Sequence, residues 1–123
     1  QGKKMPVTSV PKPTNPTIDP ANAGMNYDTF ARAVTGFSTG KRTMPEKQGE
    51  RDKAAFSLVA AGIGAGYLPS HVKDLAEKSG FSPAEIATAM NTSVKMFRDD
   101  EDRSADYNWD AIDADLSKMG GKA

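Results

Sequence analysis

Residues 70–97 read SHVKDLAEKSGFSPAEIATAMNTSVKMF. The stretch has two helical patterns and a break between them. Ser70 can cap a first helix, since its hydroxyl can accept a hydrogen bond from a free backbone N–H. Val72, Leu75 and Ala76 then recur at helical spacing. Gly80 suits the left-handed residue that follows a helix end. Ser82-Pro83-Ala84-Glu85 restarts the chain: Ser82 as cap, Pro83 at the first helical position, Glu85 closing a capping box. Ile86, Met90, Val94 and Phe97 lie on one helical face. The sequence therefore predicts helices over 70–79 and 83–97, joined by a tight turn.

This pair resembles the helix-turn-helix of bacterial repressors over roughly residues 72–91. Ala76 stands at the small position of the first helix, Gly80 at the turn, Phe81 at the apolar position after it and Ile86 inside the second helix. The resemblance implies a second helix that enters the DNA major groove with its N-terminal residues at base edges. Here those residues are Ser82, Pro83, Ala84, Glu85 and Thr88.

Outward from this pair, three further helices are expected, over 27–36, 45–63 and 108–119. Asn26 can cap the first of them, and Tyr27, Phe30, Val34 and Phe37 form its aromatic face. Pro45 can open the second, with Glu46 favourable in its first turn. That helix is polar from Glu46 to Lys53 and apolar from Ala54 to Gly62, so it enters the core by its C-terminal half. Asn108 can cap the last, whose face is Trp109, Ile112, Leu116 and Met119. The expected fold is all-α: a small bundle of about five short helices. Its core draws on Phe30, Val34, Phe56, Val59, Ile63, Leu75, Phe81, Ile86, Met90 and Val94.

Residues 1–24 differ in kind. Five of the eight prolines fall here, at 6, 11, 13, 16 and 20. Proline fixes φ and removes a donor, so neither helix nor central strand is expected. An extended arm of this composition has no core of its own. It orders only along another surface, either its own domain or a neighbour in an assembly, and the small domain favours the neighbour. The chain thus divides into an arm (1–24), a helical core (25–98) and an acidic link with a C-terminal helix (99–123). The partner-binding candidates are Val7, Val10, Pro11, Pro13 and Ile18 on the arm, with Trp109, Ile112 and Leu116 on the last helix.

Sixteen Lys and Arg balance sixteen Asp and Glu, but unevenly. Residues 1–53 carry nine cations and five carboxylates; residues 99–123 carry three and eight. A basic front and an acidic back can pair within a chain or between neighbours. There is no Cys, hence no disulfide, thiolate metal site or thiol nucleophile. His71 is the sole histidine. The carboxylates after Asp99 lie in an exposed run, whereas acid–base catalysis needs one in an apolar pocket. The glycines at 62, 64 and 66 match neither phosphate-loop spacing. Asp106, Asn108 and Asp110 begin like a calcium loop, but Ala111 and Ser117 stand where its glycine and closing glutamate belong. No enzyme, cofactor or metal site is expected. No membrane span is expected either, because no run of about 18 apolar residues exists. No secretion signal is visible, and the initial Gln1 leaves open whether a processed or omitted segment precedes it.

Two functions remain. One is a structural or assembly subunit that contacts subunits of the same or a neighbouring type, with a virion or a cytoplasmic assembly as its setting. The other is a helix-turn-helix protein that binds DNA.

Overall fold

The computed structural model describes residues 10–120, and among them there is no strand. A 3-10 turn at Pro20–Asn22 precedes α1 (Asn26–Thr39), α2 (Gln48–Gly64), α3 (Pro69–Lys78), α4 (Pro83–Asp99), α5 (Glu101–Ser104) and α6 (Trp109–Gly120). The all-α bundle is as expected, with α5 added. Asp100 starts that short helix by accepting from the backbone N–H groups of Asp102 and Arg103.

The capping box of α4 forms as read. The Glu85 N–H donates to Ser82 Oγ at 3.2 Å, and the Ser82 N–H donates to Glu85 Oε1 at 2.9 Å. Gly80 follows the end of α3 with φ of +108°, a conformation glycine adopts at no steric cost. Phe81 is buried behind it, edge-on to Phe37 with ring centroids 5.4 Å apart.

Three helix starts differ from expectation. Pro69, not Ser70, is the first residue of α3, because its fixed φ suits that position and Leu68 takes the extended cap. Ser70 then lies within the first turn, where Asp115 of α6 accepts from its N–H at 2.7 Å and from its hydroxyl at 3.0 Å. An aspartate from a remote helix thus does what a local cap side chain does elsewhere. Helix α2 opens at Gln48 rather than Pro45, since Lys47 is extended and accepts the first backbone bonds from Glu50 and Arg51. The lead-in carries Met44 to Gly80 instead. Asn26 begins α1 without capping it; its amide lies against Gly64.

Nine of the ten expected core residues are buried. Phe56 is only half-buried, packed against the core from the groove between α2 and α4. The apolar second half of α2 does enter the core, with every residue from Ala61 to Tyr67 buried.

The arm, from Val10 onward, lies along its own domain, the less favoured of the two surfaces expected from the sequence. The Tyr27 hydroxyl donates to the Val10 carbonyl at 2.8 Å, and the Tyr67 hydroxyl donates to that of Pro11. The Thr17 N–H donates to Gly66 O at 2.9 Å, while Thr17 O accepts from the Asn108 N–H at 2.8 Å. Proline cannot donate, so the arm is held by its carbonyls and by the few N–H groups it retains. Ile18 fits against Gly66, its Cγ2 3.0 Å from where a side chain there would begin. Val10, Ile18, Tyr107 and Ile112 share one core with the helices between them. The arm, the middle and the C-terminal part are therefore packed together.

Candidate functional site

The eight partner-binding candidates separate in the structure. Val7 lies outside the described residues. Val10, Ile18 and Ile112 are at most 5% exposed and belong to the chain's own core, so these three are not available as surface contacts. Pro11 is exposed and Pro13 half-buried. Trp109 and Leu116 pack partly buried against the core. The Trp109 Nε1–H donates to Ser104 O at 2.8 Å, and the Arg98 guanidinium stacks 4.7 Å above the indole ring. Trp109 is thus docked on its own chain.

What the surface does gather is charge, at two opposite ends. Helices α2 and α4 run side by side in the same direction, pinned at one end by Glu85 with Gln48 and Arg51 and at the other by Phe97 against Gly64. The first end also holds the close of α1, the loop after it and the α3–α4 turn. Arg42 returns to this end by donating its N–H to Gly36 O at 2.9 Å, and its guanidinium lies over Phe37. Lys78 and Ser38 line one groove between α3 and α1. Lys41, Arg42, Lys47, Lys53 and Lys78 make no ion pair among the described residues and stand with the carboxylates of Glu46, Glu50, Asp52 and Asp74.

Glu85 is the exception at this end, because it is consumed internally. Arg51 grips both carboxylate oxygens, at 2.8 and 2.9 Å, and Gln48 donates at 2.7 Å. The Arg51 bonds dominate and hold the Glu85 carboxyl down to about 2, against the opposing effect of burial.

The opposite end gathers α5, α6 and the arm. The Tyr107 hydroxyl donates to Gly64 O at 3.3 Å, which brings the acidic link to the C-terminus of α2. Three carboxylates here meet arginine or lysine: Asp113 with Arg98, Asp99 with Lys95 and Asp100 with Arg103. Glu101, Asp102, Asp106 and Asp110 are exposed and make no ion pair among the described residues. A shallow, open depression lies between arm and link, lined by Asp19, Asp106, Thr17 and Asn108 among others, and Asp19 Oδ1 in it accepts from the Ala21 N–H at 2.9 Å. Thr17 is 3% exposed, and its hydroxyl has no hydrogen-bond partner among the described residues.

The α3–α4 pair presents Pro83, Ala84, Ala87, Thr88 and Asn91 to solvent. Beside them, a groove of about 460 Å³ between α2 and α4 is floored by Phe56 and Ala89, with Met96 exposed one turn past Thr92.

Sequence reasoning found the charge imbalance but not its geometry. Asp19 and Asp106 line one depression with Tyr107 and Thr17, residues with no signature of their own. Among the described residues no cluster of three or more metal-ligating side chains occurs, and no helix is long and apolar enough to cross a membrane. No family model, curated protein or solved structure matches this chain.

Proposed function

We propose that this chain is a non-enzymatic assembly subunit, acting through protein–protein contacts in a larger particle of which a virion is one example. The carrying observation is the separation of charge. Helix α2, with its 17 residues, sets the ends about 25 Å apart at 1.5 Å per residue. That is about three Debye lengths at physiological salt, so the ends cannot neutralise one another within a chain. They are free to meet opposite charge on other subunits. The test is the mass of the native species, by light scattering on material isolated from its source or by imaging the source particle. A native species of one chain in the absence of other proteins would refute the reading.

DNA binding by the α3–α4 pair is the second reading. It is favoured by the exposed first half of α4, with Lys41, Arg42, Lys47 and Lys78 around the turn. Against it, Ser82, Pro83, Ala84, Glu85 and Thr88 include none of the side chains best suited to bidentate base contacts. The first-turn N–H of Ser70, a natural phosphate donor, is already held by Asp115. Each neutralised phosphate adds roughly 0.9 to the slope of log affinity against log salt. A few usable cations therefore give weak binding without sequence preference. Sub-micromolar duplex affinity at physiological salt, lost on changing Thr88 or Asn91, would promote this reading to first.

A further inference from the structure

We infer that the arm is exchanged between two copies of this chain, so that residues 10–18 of each occupy the seat on the other. The inference rests on the assembly reading and names the contact: the seat that holds a copy's own arm holds its neighbour's arm in the dimer.

Three observations carry it. The first is how the arm is tied. It is buried at two places, Val10 and the pair Thr17–Ile18, and between them only Pro13 is even half-buried. Its bonds to the domain are those of Tyr27 to Val10 O, Tyr67 to Pro11 O, and Thr17 with Gly66 and Asn108. A second copy's arm, identical in sequence, makes every one of them. Exchange therefore keeps the arm's packing and its hydrogen bonds, and swaps of this kind are a low-cost route to dimers.

The second is the hinge, residues 19–25. Its two ends lie close together, because Ile18 rests on Gly66 and the Asn26 amide lies against Gly64, both at the end of α2. Fully extended, the hinge would reach about 23–25 Å. It spans the short gap by folding back through the 3-10 turn at Pro20–Asn22 and through Gly24, at φ of +62°. Opening it breaks the bonds of the Ala21 and Asn22 N–H groups to Asp19 and that of Asn26 to Ala23, and uncovers Ala23. Ala21 and Asn22 are exposed, so water takes the place of their bonds.

The third is Met25. It is 78% exposed, the most exposed large apolar side chain among the described residues, and it stands at the end of the hinge. In a symmetric pair the two hinges cross side by side, and the corners they leave from face each other. Met25 of each copy then leaves water against the other, a gain that the single chain cannot make.

The choice of seat is made while the chains fold. The arm's last partner, Asn108, lies far along the sequence, so the arm waits for its seat. At high concentration a neighbour's seat competes with its own.

Slow refolding of the full chain from urea at increasing concentration tests this. Light scattering on the products is expected to show a monomer of 13.1 kDa and a dimer of twice that mass, with the dimer share rising with concentration. Gly24→Val should raise the dimer-to-monomer ratio about tenfold or more at equal concentration. A β-branched side chain opposes the left-handed φ of the closed hinge at two hinges per dimer, and is at ease in the extended one. Nothing lies within 4 Å of its Cβ position, so the effect is confined to the hinge. In a dimer refolded from isotope-labelled and unlabelled chains together, nuclear Overhauser effects should link Ile18 methyls of one copy to Gly66 α protons of the other. A wild type that stays monomeric up to its solubility limit overturns the exchange. So does a Gly24→Val ratio no higher than that of the wild type, or a dimer in which the Ile18–Gly66 signals stay within one copy. The assembly reading is decided separately: a native species larger than one chain, with each arm on its own copy, leaves it standing through a different contact.

Discussion

Replacing Ile18 by alanine tests whether the arm is part of the folded core. Ile18 is 5% exposed and rests on Gly66, with Thr17 beside it tied to Gly66 and Asn108. The change removes three carbons, and at ~0.8 kcal/mol per buried CH₂ the transfer loss is about 2.4 kcal/mol. The space vacated faces backbone at Gly66, where no side chain can move in, so a cavity remains. Ile→Ala changes of this type cost about 2–5 kcal/mol, and the middle of that range is expected here. Urea unfolding followed by circular dichroism at 222 nm measures it, given an unchanged slope against denaturant. In a domain of this size each 1 kcal/mol corresponds to roughly 4 °C in Tm. Hydrogen exchange supplies an independent reading. The Thr17 amide should open only with global unfolding in the wild type and by a cheaper local route in the variant. A loss below about 0.5 kcal/mol, the level of an inconsequential surface change, would refute the placement of the arm. So would a wild-type Thr17 amide that exchanges as fast as in a free peptide.

Phe81→Ala should cost about 3–5 kcal/mol, because Phe81 is buried between α3 and α4 and edge-on to Phe37; a chemical-denaturation loss under 1 kcal/mol would place it elsewhere. The Glu85 carboxyl is held at about 2 in the fold against 4.5 ordinarily, so its stabilisation is complete above pH 4.5 and lost as pH falls from 4.5 to 2. In urea titrations across that window, the stability difference between wild type and Glu85→Gln should shrink steadily, and a constant difference would contradict the Arg51 pairing. Gly62→Ala should be less stable than Gly49→Ala by about 1–3 kcal/mol. A methyl at Gly62 meets the Phe30 ring at 2.8 Å and Val72 at 2.9 Å, whereas one at Gly49 meets nothing within 4 Å. Equal melting temperatures for the two variants would show that the α1–α2 contact is looser than described.

The elements easiest to read from sequence were those set by chemistry within a few residues. The Ser82–Glu85 box and Gly80 needed only local bonds and one permissive φ, and both formed as read. Ser70 misled because two signals competed one residue apart. Proline at the first helical position outweighed serine as a cap, and the orphaned donor was met by Asp115, 45 residues away. The arm was legible only in the negative. Its prolines excluded helix and strand but did not reveal that the hydroxyls of Tyr27 and Tyr67 would meet its carbonyls. Phe56 matched the helical period of Val59 and Ile63, yet α2 has apolar residues on more sides than its neighbours cover. The charge segments were countable from the first, but their separation depends on α2 and α4 running in the same direction. That follows from packing rather than from any motif.

The strap formed by the arm also sets an order of assembly in time. Its contacts join residues far apart in the chain: Pro11 and Tyr67 are separated by 56 positions, and Tyr107 and Gly64 in the anchoring corner by 43. Loop closure over such lengths adds little equilibrium cost, about 0.6 kcal/mol per doubling, but long-range contacts form slowly. During synthesis Ile18 emerges well before Asn108, the last residue to bond Thr17. At roughly 5–20 residues per second the wait is on the order of 5–20 s. Throughout it Val10 and Ile18 are apolar side chains without their complete seat. The prolines at 11, 13, 16 and 20 bracket them, and proline breaks the ladder of N–H donors that a stray β-pairing needs. The residues that deny the arm a secondary structure of its own thus also protect the nascent chain until its seat is complete.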